Sequence, residues 1–76
     1  MTKERRVKLL SIPSDLILGV LEGKCRVSNI PEGSQLLRAT YNFQSDSIEI
    51  GIYNDMFDVT EPNVVPPVFW AEVEVY

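Results

Sequence analysis

Residues 35–53, QLLRATYNFQSDSIEIGIY, constrain the fold of this chain more than any other stretch. Leu37, Ala39, Tyr41 and Phe43 alternate with Leu36, Arg38, Thr40 and Asn42, which reads as a half-buried strand. Three polar residues, Gln44 to Asp46, then turn the chain. Ile48, Ile50 and Ile52 follow on one side of a second strand, with Glu49 and Gly51 on the other. Two period-two runs joined by a short polar turn predict an antiparallel hairpin.

A hairpin alone is not stable in water, so the flanking residues must supply the rest of a core. RRVKLL, residues 5–10, predicts a first strand with Val7 and Leu9 sharing one face. Residues 11–15 then turn into a short helix, with Ser11 as its expected cap, Pro13 in its first turn and Asp15 complementing its dipole. Leu16, Ile17, Val20 and Leu21 form its apolar stripe, and Gly23 supplies the stop. Residues 24–34 predict a loop or short strand anchored by Val27 and Ile30 and closed by a turn at IPEGS. Residues 54–67 carry three prolines and predict an irregular lid, with Met56, Phe57 and Val59 folding back over the sheet. A last strand is expected from Val68 to Tyr76. The expected fold is one α+β domain: a small antiparallel sheet and one short helix, in the order β-α-(β)-β-β-β.

With 76 residues, such a domain buries only about 60% of the surface that its unfolded chain exposes. The single cysteine, Cys25, excludes an intramolecular disulfide, and the lack of histidine excludes a Cys/His zinc site and Ser/His/Asp catalysis. Lys24 and Arg26 flank that thiol, but with no histidine base a buried structural role is expected of it. Stability must therefore come from an efficient core or from another copy of the chain. On the last strand Phe69, Ala71, Val73 and Val75 suit the core, while Trp70 and Tyr76 fall on the other face and suit an interface between subunits. A homodimer or higher homo-oligomer is the expected state.

No run approaches the 18 apolar residues of a membrane span. The basic-then-apolar opening is interrupted by Ser11, Pro13, Ser14 and Asp15, unlike a secretory signal, so a cytoplasmic location is expected. Net charge is −4, unevenly placed: residues 1–26 carry six bases and three acids, and the remainder one base and eight acids. That basic footprint is too small for extended duplex nucleic acid. It suits a small anionic, nucleotide-like ligand received at the helix amide end near Ser14 to Leu16. Arg5, Arg6, Lys24 and Arg26 would supply charge. Arg26 or Arg38 could fork onto a phosphate, and Tyr41, Tyr53 or Trp70 could stack a base. The candidate ligand-binding set is thus Arg5, Arg6, Arg26, Arg38, Tyr41 and Trp70. No glycine-rich phosphate loop is present, and no cofactor is implied. An alternative is a metal-assisted hydrolase or nuclease using Asp55, Asp58 and Glu61, three residues apart and on one face if the segment were helical. A structural or regulatory protein-interaction domain is a third class.

The segments VKLLSIPSDLILGVLEGK, IPEGSQLLRATYNFQSDSIEIGIY and FDVTEP resemble those of short uncharacterised proteins encoded by bacterial viruses and prophages. The resemblance implies a non-catalytic, host-directed role: an accessory or anti-defence factor that binds a host protein or sequesters a small phosphorylated signal as an oligomer in the host cytoplasm. It carries no functional residue onto this chain.

Overall fold

A computed structural model describes residues 5–76. It is an α+β fold of six strands and one helix: β1 (Val7–Pro13), α1 (Ser14–Leu21), β2 (Cys25–Val27), β3 (Gln35–Asn42), β4 (Ser47–Tyr53), β5 (Val68–Trp70) and β6 (Val73–Val75). β3, β4, β1 and β5 form one sheet in that order, and β2 pairs with β6 in a second. The hairpin predicted over residues 35–53 is β3–β4, with Ala39 opposite Ile50 and Tyr41 opposite Ile48.

The large sheet is mixed rather than antiparallel. β1 is antiparallel to β4 but parallel to β5, with Leu10 opposite Phe69. β1 also runs three residues beyond the expected end at Leu10. Ser11 is buried inside the strand, where its hydroxyl donates to Ser47 Oγ at 3.0 Å, so it does not cap the helix. Pro13 holds the N-cap position with φ −54°, and the Ser14 amide donates to the Asp46 carbonyl at 3.0 Å. Gly23, with φ +75°, ends α1 as expected: its N–H donates to Val20 O and the Lys24 N–H to Gly19 O. In the IPEGS turn, Ser34 N–H donates to Pro31 O and Gly33 takes φ +82°.

The expected final strand is two strands in different sheets. Asn29 explains the break: its side-chain amide donates to Trp70 O at 2.9 Å and accepts from Glu72 N–H at 2.9 Å. It stands in for a peptide of a neighbouring strand, so the chain leaves β1 at Ala71 and joins β2 at Val73. The lid forms in part. Phe57 is buried beneath Lys8, whose Nζ lies 4.7 Å from the ring centroid, whereas Met56 and Val59 stay exposed.

One face of the sheet carries the core. Leu10, Ile12, Ile52 and Phe57 are buried there, with Ile17, Val27, Ile30, Ile50, Phe69 and Ala71 packed around them. Helix α1 touches β1, β2 and β4 but leaves β3 uncovered. The strand expected to be half-buried is therefore exposed along nearly its whole length. A bulge between Leu36 and Ala39 shifts its register, placing both Leu37 and Arg38 opposite Gly51.

Candidate functional site

An eight-residue helix cannot roof a four-stranded sheet, and the space it leaves open is the candidate site. Ile17 and Val20, one turn apart on α1, face the sheet, while Leu18 and Leu21 point to solvent. At Gly19 the helix comes so close to β2 that an added Cβ would lie 2.9 Å from Cys25 Sγ. That approach closes one flank and buries the Cys25 side chain. Toward β3 the flank stays open.

The result is a half-open cleft of about 310 Å³. Ile50 forms its floor above the buried Leu10 and Ile12, Val27 and Ile30 a wall, and Leu36 the rim on β3. Such a volume lies at the low end for ligand sites, and its walls are nearly all apolar. Arg26 and Tyr76 line the end nearest β2. The Arg26 guanidinium donates to Glu74 Oε2 through Nη2 at 2.8 Å and Nε at 3.2 Å, and this bonding raises its pKa. Charge at that end is thus offset within the chain, which favours a neutral, apolar occupant.

The six residues singled out for an anion lie on separate parts of the fold. Arg5 donates to Glu61 O at 2.9 Å and Arg6 to Phe57 O at 2.7 Å, tying the start of β1 to the lid. Arg26 is on β2, Arg38 and Tyr41 are on β3, and Trp70 is on β5. β3 and β5 are opposite edges of the large sheet, three strand spacings or about 14 Å apart, so Tyr41 and Trp70 do not share one face of a base. The Tyr41 hydroxyl donates to the Asp46 carboxylate; this bond raises the Tyr41 pKa and, with help from Ser14, lowers that of Asp46. That carboxylate stands at the amide end of α1, where a phosphate was expected.

Asp55, Asp58 and Glu61 lie in irregular chain, not on a helical face, and Asp55 accepts from the Tyr53 hydroxyl at 2.7 Å. Among the described residues no group of three or more His, Cys, Asp or Glu is placed to hold a metal ion. Nor is any helix among them long and apolar enough to cross a membrane. No protein-family model matches the chain, and no curated protein or solved structure does.

Val20, Val27, Ile30 and Ile50 are visible in the sequence as apolar anchors, yet their role around an open space is not. The available signal was the shortness of the helix, whose two turns cannot span four strands about 14 Å across.

Proposed function

We propose that this chain is a non-catalytic binding protein whose cleft between α1 and the sheet receives apolar side chains of a partner protein. The observation that carries this is the half-open apolar cleft of about 310 Å³ in a chain with so few buried side chains. Small domains gain stability by closing their cores, so open space at the core is costly to retain. The anti-defence role implied by the resemblance to phage-encoded proteins would then be exerted by docking on a host protein.

Five of the six described basic residues, all but Arg38 on β3, support a protein partner over a phosphorylated small molecule. Arg5 and Arg6 hold lid carbonyls, Lys8 lies over Phe57, Lys24 is 3.3 Å from Glu22, and Arg26 is paired with Glu74. An anion would have to compete with each of these contacts.

Titration with N-phenyl-1-naphthylamine, a neutral apolar fluorophore, tests the cleft. Saturable binding at one site per chain is expected, with Kd on the order of 100 μM for a ligand of that size. Val20→Asp, which puts a carboxylate against the apolar wall, is expected to weaken binding at least about tenfold while circular dichroism shows the fold retained. Binding that Val20→Asp leaves unchanged would contradict the proposal. So would calorimetric heat with inorganic pyrophosphate in the absence of fluorophore binding.

A further inference from the structure

We propose that β3 pairs antiparallel with β3 of a second copy of this chain, across a two-fold axis, joining two four-stranded sheets into one of eight strands. β3 is an edge of the sheet and eight residues long, whereas the opposite edge, β5, has three. A long exposed edge presents unsatisfied backbone donors and acceptors and is a template for strand addition. Proteins that keep such edges single place lysine, proline, inward charge or a bulge on them, and of these β3 has the bulge at Leu37 and Arg38. β3 has neither lysine nor proline, and its one charge is Arg38. Its exposed side chains include Leu36, Leu37 and Tyr41, with Phe43 stacked edge-on against Tyr41 at 5.2 Å between ring centroids.

Charge selects the occupant and the register. A two-fold axis normal to the sheet preserves its faces, so residues of the same face oppose one another. Centring on Arg38 would set two guanidiniums face to face, which is unfavourable. Centring on Ala39 sets Arg38 opposite Thr40 of the second copy, and Thr40 is itself opposite Glu49 on β4. Arg38 of one copy and Glu49 of the other then lie in one cross-strand row, two strand spacings or about 10 Å apart at Cα, a span that the two long side chains bridge. Symmetry makes the pair twice. The bulge at Leu37 and Arg38 falls within this pairing: counted as one position, it sets Tyr41 opposite Leu36 and Asn42 opposite Gln35 of the second copy, so each face of the sheet continues across the axis. The apolar residues of the outer sheet face also run toward this edge: Val68, Leu9, Gly51 and Leu37 lie in one row across β5, β1, β4 and β3.

The edge meets the cleft at its rim residue Leu36, but Arg38, Thr40 and Glu49 lie outside the cleft lining and Val20 lies off β3, so the fluorophore titration and the assembly state, each read with its own variants, fail independently. Sedimentation equilibrium from 1 to 200 μM is expected to show a reversible species of twice the 8.6 kDa chain mass. A roughly micromolar Kd is expected, because strand addition buries less than a standard interface of about 1,600 Å². Thr40→Lys, at an exposed side chain, sets a second cation beside Arg38 of the other copy and is expected to weaken the dimer about tenfold or more. Arg38→Glu is expected to weaken it about threefold to tenfold, and adding Glu49→Arg to restore it. Circular dichroism of each variant reports on the fold of the subunit. A monomer throughout the range overturns the proposal, and so does a dimer that neither Thr40→Lys nor Arg38→Glu affects.

Discussion

Replacing Asn54 with alanine is expected to cost roughly 2–4 kcal/mol in urea unfolding, the sum of three part-buried hydrogen bonds made by one buried side chain. Asn54 is 3% exposed. Its side-chain amide donates to Glu32 O and to Ser34 Oγ, each at 3.1 Å, and its Oδ1 accepts from the Met56 N–H at 2.9 Å. The same residue's main chain donates to Arg6 O at 3.1 Å and accepts from Phe57 N–H at 3.0 Å. One asparagine thus fastens the IPEGS turn, the start of β1 and the entry to the lid. Alanine would leave the Glu32 carbonyl and the Met56 amide without it. Asn54→Asp separates the two halves of this role: the carboxylate still accepts from Met56 but cannot donate to Glu32, so it also destabilises. Midpoints within 0.3 M urea of the parent for both variants would contradict the assignment.

Leu10→Ala is the second large effect, at about 2–5 kcal/mol. Leu10 is fully buried on the central part of the sheet, between Ile50 on β4 and Phe69 on β5. Among the described residues only Ile12, Ile52 and Phe57 share the fully buried cluster with it, so few neighbours can move to fill the space. A domain of 76 residues has a total stability of roughly 4–11 kcal/mol, and the variant is expected to be partly unfolded at 37 °C. Leu36→Ala is the control. Leu36 is 57% exposed at the cleft rim, and its truncation is expected to cost less than about 1 kcal/mol. Equal losses for the two variants in thermal melts would mean that the buried cluster lies elsewhere.

What could be read before the structure was local. The β3–β4 hairpin was legible because alternation and a three-residue turn are both short-range signals, and Gly23 and the IPEGS turn were legible for the same reason. Tertiary partners were not. Ser11 reads as a helix cap in isolation, and only Ser47, 36 residues away, draws it into a buried strand pair. The break after Trp70 is made by Asn29, whose side chain replaces a peptide partner from 41 residues away. The parallel pairing of β1 and β5 joins distant segments that carry no mark of each other. Alternation along β3 suggested burial, but burial depends on what covers the strand, and α1 does not reach it. The cleft is the same lesson seen from the site. Its apolar residues were recognisable as anchors, whereas the space between them follows from helix length and from the close approach at Gly19.

Filling that space tests most directly whether it is kept for binding. Val20→Phe places a ring between α1 and the floor at Ile50. If the opening is a retained binding site, the variant should melt at a higher temperature, by about 1 kcal/mol of added stability, and lose N-phenyl-1-naphthylamine binding. A Val20→Phe protein that still bound the fluorophore with parental affinity would contradict the account.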